Sequence, residues 1–581
     1  MVYRTEHPKP QFMRNNWENL NGKWQFEIDH SKSGEDRGLQ NVGVALNSEI
    51  NVPFCPESEL SGVCYKDFME QIWYKRIINV SKINPEAQRV ILHFGAVDYK
   101  TTVYLNGEIV GIHIGGYASF EIDITEFLND GENEICLKVN DDSRTLKARG
   151  KQSDKFESYK CLYTRTTGIW QTVWLEYKPK NHIRNFKFIT NQDLKTVTFS
   201  AQFIGSEDFT INIGFNGKSV FEKTYHSCGN IFTTSFEMPE VHLWDIGSPN
   251  LYDVVLKYGD DVVNTYFGMR YVEMSGMKFL LNKRSVFQRL VLDQGYYPDG
   301  IYTAPSDEAL KKDIELALAA GFNGARLHQK VFEERFLYHC DKMGYMVWGE
   351  YGDWGASRRE ITNQIAEWSS ILERDYNHPS IIGWCPNNEA ISGKWSHEEG
   401  IENTNNYATL YKLTKAIDPT RLCIDVSGFL HSRFTDVYDL HDYEQDPVAL
   451  AEKYDKVIED KTLLEETTFL SRMITASGMK ICKLYQYYYG EPIAMSEYGG
   501  TSFGDGGWGY NENQLSREKV TKTIKDLTKV LLDNKNIHSF CYTQLYDVEQ
   551  EINGIYYYNR EPKFDIEEIS KVVSQKAAIE D

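Results

Sequence analysis

No stretch of the 581 residues reaches the roughly 18 consecutive apolar side chains that a membrane-spanning helix needs, so no such helix is expected. The opening residues, MVYRTEHPKPQFMRNNW, lack the apolar stretch of a secretory leader. The ten cysteines include no Cys-x-x-Cys pair and no metal-like spacing. Cys136, Cys423 and Cys541 lie instead in apolar strand-like runs, as free thiols buried in a reducing compartment do, and a cytoplasmic location is expected. Basic residues are in deficit, 63 Lys and Arg against 84 Asp and Glu, for a net charge of −21. A surface this acidic repels a phosphate backbone, so nucleic acid is not an expected partner. His328, His339 and His441 belong to no His-x-His or His-x-x-x-His pattern, so no metal is expected. Low-complexity sequence is also missing.

What remains is a soluble-protein composition, 41% hydrophobic and 25% charged, spread over a chain too long for one core. Residues 1–180 read as short strands separated by turns. The run TTVYLNG alternates, and Asn106-Gly107 predicts a hairpin turn. An all-β sandwich of the jelly-roll kind is expected here. Residues 181–275 carry TVTFSAQF, FTINIGFNG and LYDVVLKYG, and their length predicts an immunoglobulin-like sandwich without its disulfide.

From 276 to 581 the pattern changes. Eight apolar strand-like runs, VFQRLVLD, NGARLHQ, YMVWGEY, IIGWCPNNE, RLCIDVSG, VYDLHDY, IAMSEYGG and SFCYTQLYD, are mostly separated by helix-like segments. Between the first two lies SDEALKKDIELALAAG, with Leu310, Ile314 and Leu318 four apart, Ser306 placed to cap its start and Gly321 to end it. Eight such units predict an α/β (β/α)8 barrel, a TIM barrel. Residues 455–490 form a longer excursion between strands six and seven, expected to be helical and near the site.

Two of these strands end in a glutamate. IIGWCPNNEA runs from five mostly apolar residues into Asn387, Asn388 and Glu389, and PIAMSEYGG ends on Glu497. In such a barrel, side chains at the carboxyl ends of strands four and seven converge over one mouth. Two converging carboxyl groups suit glycoside hydrolysis. A spacing of about 5–5.5 Å implies retention through a covalent glycosyl-enzyme, and one of about 6.5–9.5 Å implies inversion. Sequence leaves that choice open.

These residues carry a resemblance. NGEIVGIHIGGYASFEIDIT, TRTTGIWQTVWLEY, AGFNGARLHQ, GWCPNNEA and SEYGG together resemble glycoside hydrolase family 2, the β-galactosidases, β-glucuronidases and β-mannosidases, over nearly the whole chain. The resemblance implies an exo-acting retaining β-glycosidase that needs no cofactor, and a homo-oligomer, since relatives form dimers or tetramers. It implies Glu389 as general acid/base and Glu497 as nucleophile. Asn388 would bind the sugar 2-hydroxyl, Arg326 would hold Glu497 ionised, and Tyr443 would donate to it. Family β-glucuronidases carry an Asn-x-Lys pair that binds the sugar carboxylate. The matching region, DVEQEINGIYYYNREPKFD, has none, so the expected substrate is a β-galactoside.

Other side chains join the expected substrate-binding set. His328 stands two residues after Arg326, not three as in many relatives, and Lys330 is an unusual nearby cation. Arg149 and Lys151, on a first-domain loop, and Arg358 and Arg359, after strand three, are further cations. A β-hexuronidase, using Lys330 or loop arginines, is the alternative. Trp348, Trp354, Trp384 and Trp508 flank strand ends, and Trp508 in GDGGWGYNEN suits a lid or subsite. Asp353 and Asp442 would bind sugar hydroxyls or form ion pairs. Tyr542 or Thr543 takes the place of the family's strand-eight tryptophan. A carbohydrate-binding protein with an inactive barrel is the third reading, opposed by the presence of both carboxylates.

Overall fold

The computed structural model describes residues 3–81, 83–356, 361–389, 397–428, 431–459, 464, 488–504, 507–511 and 515–580. Arg358, Arg359 and most of 455–490 lie outside the described residues. The first unit packs a six-stranded antiparallel sheet, centred on Gln71–Val80 and Gly131–Asn140, against a four-stranded one centred on Val173–Pro179 and Gln88–Phe94. Alternating inward residues, among them Trp24, Phe26, Tyr74, Leu92, Leu137 and Leu175, fill the space between them. Asn106 and Gly107 take φ of 53° and 86°, the left-handed pair that a tight two-residue hairpin turn requires.

The second unit sets a three-stranded sheet (His182–Thr190, Thr196–Ile204, Ile231–Glu237) against a four-stranded one. Stacked aromatics, including Phe188, Phe199, Phe209 and Phe267, do the packing that a disulfide does in other sandwiches of this kind. All nine described cysteines are free.

The third unit is a parallel barrel. Its strands are β1 (Gln288–Asp293), β2 (Gly324–Leu327), β3 (Met346–Glu350), β4 (Ile381–Cys385), β5 (Leu422–Cys423), β6 (Tyr438–Asp442), β7 (Ile493–Gly499) and β8 (Ile537–Thr543). Helices α1 (Asp307–Ala319), α2 (Glu334–Met343), α3 (Ile361–Asp375), α4 (His397–Ile417), α5 (Pro447–Tyr454), α6 (Arg517–Asp533) and α7 (Ile566–Val573) surround them. Helix α1 starts as its sequence predicts, with Ser306 Oγ accepting from Ala309 N, and ends at Gly321 with φ of 91°. The strand order is β5-β4-β3-β2-β1-β8-β7-β6. β5 and β6 share no ladder. Their seam is joined by Asp436 N on Cys423 O (2.9 Å), and by Ser427 Oγ (2.7 Å) and Gly428 N (3.1 Å) on Asp439 Oδ2.

Two features tie the units together. Arg14, buried, bridges Glu176 (2.9 Å) of the first sandwich and Asp261 (2.7 Å) of the second. A loop of the first sandwich runs along the barrel rim, with Lys147 N on Gly355 O (3.0 Å), Arg149 N on Trp354 O (2.9 Å) and Gly150 N on Gly352 O (3.0 Å). Gly150 adopts φ of 59°, and a Cβ there would sit 2.2 Å from Gln329 O, so no larger residue allows this approach. No helix among the described residues is long and apolar enough to cross a membrane.

Candidate active site

Strand alternation selects what faces the barrel mouth. β2 brings Arg326 inward, β6 brings His441, with Tyr443 just beyond its end, and β7 brings Glu497. Arg326, 2% exposed, makes its three short hydrogen bonds from Nε to Glu350 Oε2 (2.6 Å), Nη1 to Glu497 Oε1 (2.7 Å) and Nη2 to Asn388 Oδ1 (2.5 Å), with longer contacts from Nη1 to Ser496 O (3.4 Å) and His441 Nε2 (3.5 Å). Tyr443 Oη donates to the other oxygen of Glu497, and its ring stacks on Tyr510 with centroids 3.4 Å apart. Burial works to raise the Glu497 carboxyl, but His441, Arg326, Lys151 and the Tyr443 hydroxyl outweigh it and hold it below the usual carboxylate range.

Glu389 sits just past β4 in a left-handed turn, φ 42°, with its amide on Ser427 O (2.8 Å). Its side chain is 18% exposed, against 3% for Glu497, so it borders the open side of the cleft. His441 stands between the two. Nδ1 lies 2.8 Å from Glu389 Oε1 and 3.6 Å from Glu497 Oε2. One oxygen of each carboxylate and a nitrogen of His441 all lie within 4.8 Å of one another. Burial disfavours a charged His441, yet Glu497 and Glu389 raise its pKa above the ordinary histidine range.

Around this pair stand supporting groups. Trp354 Nε1 donates to Asn388 O (3.0 Å). Asp353 Oδ1 accepts from Asn388 N (3.1 Å) and Gln329 Nε2 (2.6 Å), and burial pushes its carboxyl up to about 7. His328 lies 3.1 Å from Glu350 Oε1 and 3.8 Å from Glu497 Oε1; burial, Lys151 and Arg326 push its pKa well below the ordinary range, so it is neutral. Lys151 arrives from the first sandwich, 4% exposed, over the rings of Trp354 (5.7 Å) and Tyr163 (5.9 Å). Among the described residues its ammonium makes no hydrogen bond or ion pair. Burial opposes its charge, but Glu551, Cys161, Glu497 and Glu389 raise its pKa. Glu551, fully buried, accepts from the Tyr163 hydroxyl and from Asn553 Nδ2 (3.0 Å).

Several expected residues stand elsewhere. Lys330 is not brought to the carboxylate pair. The chain turns at Gln329 (φ 51°), and the ammonium sits on Gly295 O (2.5 Å) and Tyr302 O (2.8 Å) among Trp170, Tyr302 and Phe332. Asp442 alternates with His441 and Tyr443, so it points away from the mouth, to Lys453 Nζ (3.0 Å) and Tyr454 Oη (3.0 Å). Trp508 bridges backbone with Gln550 and Ile552 and packs on Tyr510 (4.8 Å), behind the Tyr443 ring. Trp348 and Trp384 are core, bonded to Gln288 and Asp418. Of the strand-eight pair, Thr543 faces Tyr443 Oη (3.4 Å), and Tyr542 packs outward on Tyr498. Glu350, Glu551 and His441 were not among the expected site residues. Glu350 had a signal, an acid ending an apolar strand as Glu389 and Glu497 do.

Two sandwiches ahead of a parallel barrel with two facing carboxylates on its carboxyl rim form the architecture of a glycoside hydrolase. The family models agree in chain order. "Glycosyl hydrolases family 2, sugar binding domain" matches residues 17–179, "Glycosyl hydrolases family 2" matches 181–270, and "Glycosyl hydrolases family 2, TIM barrel domain" matches 301–577. The chain belongs to glycoside hydrolase family 2. It is 24% identical over 456 residues to a beta-glucuronidase of Streptococcus agalactiae, covering 71% of this chain and 72% of that one. It is 26% identical over 465 residues to a beta-galactosidase of Thermoanaerobacterium thermosulfurigenes, covering 74% of this chain and 60% of that one. It spans 54% of the length of a third relative, 27% identical to it. Among solved structures, a beta-glucuronidase from an uncultured Clostridium sp. superposes with a TM-score of 0.77 at 20% identity, covering 97% of this chain and 99% of that one.

Proposed function

We propose that this chain is an exo-acting retaining β-glycosidase that releases a terminal neutral sugar, most simply a β-galactosidase. The observation that carries the reading is the carboxylate pair, with oxygens of Glu389 and Glu497 within 4.8 Å of each other. Facing oxygens this close favour the retaining spacing of about 5–5.5 Å over the wider inverting spacing of about 6.5–9.5 Å. Glu497, held ionised by Arg326 and Tyr443, attacks the anomeric carbon. Glu389, on the more open side, protonates the leaving oxygen and then draws the proton from the incoming water. Asn388 is aimed by Arg326, and its Nδ2, buried without a hydrogen-bond partner, is available to a sugar hydroxyl.

The neutral glycone rests on charge balance. Three cations face the site, Arg326, Lys151 and His441, against four carboxyl groups, Glu350, Glu389, Glu497 and Glu551, so no cation is in surplus. A uronate would bring a charge with no counterpart, and Glu551 stands in the region where family β-glucuronidases carry Asn-x-Lys. One observation favours the second reading, a β-hexuronidase. Lys151 is 4% exposed, and its ammonium has no hydrogen-bond partner among the described residues, as a group awaiting a carboxylate has none. Relatives named beta-glucuronidase and beta-galactosidase both match. A panel of aryl β-glycosides decides: turnover of the galactoside supports the first reading, and turnover of uronides alone overturns it.

A further inference from the structure

His441 touches Glu389 on one side and a fixed polar chain on the other. Nδ1 lies 2.8 Å from Glu389 Oε1, and Nε2 lies 2.9 Å from Ser427 Oγ. A ring nitrogen and a carboxyl oxygen this close need a proton between them, because two bare lone pairs repel. Ser427 has one hydroxyl hydrogen, and it points to Asp439 Oδ2 at 2.7 Å, the shorter of its contacts. Ser427 then offers a lone pair to Nε2–H. Asp439 Oδ2 is itself held by Ser496 Oγ and Gly428 N, so this side of the ring is fixed. The atom left to gain or lose a proton is Nδ1, the one aimed at Glu389.

We propose that His441 and Glu389 share one proton, and that His441 stores the proton which Glu389 delivers to the leaving group. The role rests on Glu389 being the acid/base. At rest the imidazolium Nδ1–H donates to the Glu389 carboxylate, with the negative Glu497 oxygen 3.6 Å away favouring that charge. As substrate enters, the proton passes from Nδ1 to Glu389 and on to the glycosidic oxygen. The anomeric C–O bond breaks with its electron pair on that oxygen, and a Glu497 oxygen forms the ester bond. Glu497 is now uncharged, and so is His441. In the second half Glu389 takes a proton from water as the water oxygen bonds the anomeric carbon. The ester pair returns to Glu497, and the proton returns to Nδ1. The charge on the histidine therefore follows the charge on the nucleophile.

Among the described residues, the titratable and charged groups facing His441 include Glu389, Glu497, Arg326 (Nη1 to Nε2, 3.5 Å), neutral His328, Tyr443 just past the end of β6, and Asp439 through Ser427. Glu497 and Glu389 raise its pKa against burial and Arg326, in the direction that a stored proton requires.

His441→Phe tests the role through leaving groups. Removing His441 also takes a cation from Glu497, so both rates should fall; because poor leaving groups need protonation, kcat/KM for a 4-methoxyphenyl glycoside should fall about tenfold or more further than that for the 2,4-dinitrophenyl glycoside. The basic limb of the pH profile should move down. An equal fall for both glycosides would show a merely structural role and overturn the proposal, as would no fall. NMR titration of the His441 ring needs no substrate. Its midpoint should drop by at least about one pH unit in Glu389→Gln relative to the native protein, and an unchanged midpoint overturns the proposal even if His441→Phe fails to fold. Absence of turnover in the native protein would count against the glycosidase reading, and the ring titration would still judge the shared proton.

Discussion

Arg326 is the residue whose removal has the most calculable effect. Its guanidinium neutralises two buried carboxylates, Glu350 and Glu497, and aims Asn388, all within 2.5–2.7 Å. Burial already raises the Glu350 carboxyl with the arginine present. Glu497 stays low because His441, Arg326 and Lys151 together overcome burial. Arg326→Met leaves two buried carboxylates without their shared counter-charge, at a cost of about 3–5 kcal/mol that is partly relieved when one takes up a proton. The sign is fixed. A depressed Glu497 contributes stability above the ordinary carboxylate pKa and loses it as pH falls through the lowered folded value; without Arg326 that loss begins at higher pH. A tenfold change in a carboxylate's proton affinity corresponds to about 1.4 kcal/mol. The acid limb of kcat/KM should therefore move up by about one pH unit or more, with kcat down about 100-fold or more at neutral pH. Arg326→Lys restores charge but cannot fork to three acceptors, so it should recover part of the limb and little of the rate. The assay is a pH profile on an aryl galactoside alongside thermal unfolding. A folded Arg326→Met protein with an unmoved acid limb would refute the assignment of Arg326 to the nucleophile.

Glu497→Gln should abolish steady-state turnover of every aryl glycoside, and a residual rate above about one thousandth of native would exclude Glu497 as nucleophile. Glu389→Gln should slow substrates with poor leaving groups by about 100- to 10,000-fold and spare those with acidic ones, as a leaving-group series will read. Glu551→Gln, which keeps its size and the acceptor for Asn553 while turning the Tyr163 hydroxyl from donor to acceptor, should raise the uronide-to-galactoside ratio of kcat/KM about tenfold, and an unchanged ratio would remove Glu551 from glycone selection. His431, buried between Asp425 and Asp439, has its pKa raised to about 9. Its contribution, about 3 kcal/mol, is full below the unfolded value near 6.5 and lost as pH rises to about 9. Thermal stability should fall over that window in the native protein and stay flatter in His431→Asn.

The parts of the site legible in sequence are those that strands position. Glu389, Glu497, Arg326 and Tyr443 sit at or near strand ends, and the order of strands in a barrel brings such ends together whatever the loops do. Asp442, expected at the substrate, instead faces Lys453 and Tyr454, because a period of two sends it away from the mouth once Tyr443 points in, and the same period places the unexpected His441 there. A lone histidine in an apolar strand gives no pattern of its own, and only its spacing from Tyr443 marks it. Lys330 failed for a backbone reason, because the left-handed turn at Gln329 redirects the chain after β2. Glu551 lies on a loop without periodicity and is fixed by Tyr163, nearly four hundred residues earlier, a contact that no local window contains. The seam was hidden similarly: RLCIDVSG reads as a full strand, yet only Leu422–Cys423 joins the ladder, and side chains from β6 complete the closure.

The three backbone rungs between residues 147–150 and 352–355 have an architectural outcome. A transplant of the barrel onto foreign sandwiches would carry both glutamates across but leave the cleft roofless where Lys151 and Tyr163 now stand. If Lys151 and Glu551 read the sugar as proposed, the inheritable unit of selectivity is the joint between two domains, and changes in the sandwich would shift sugar preference while leaving both glutamates in place.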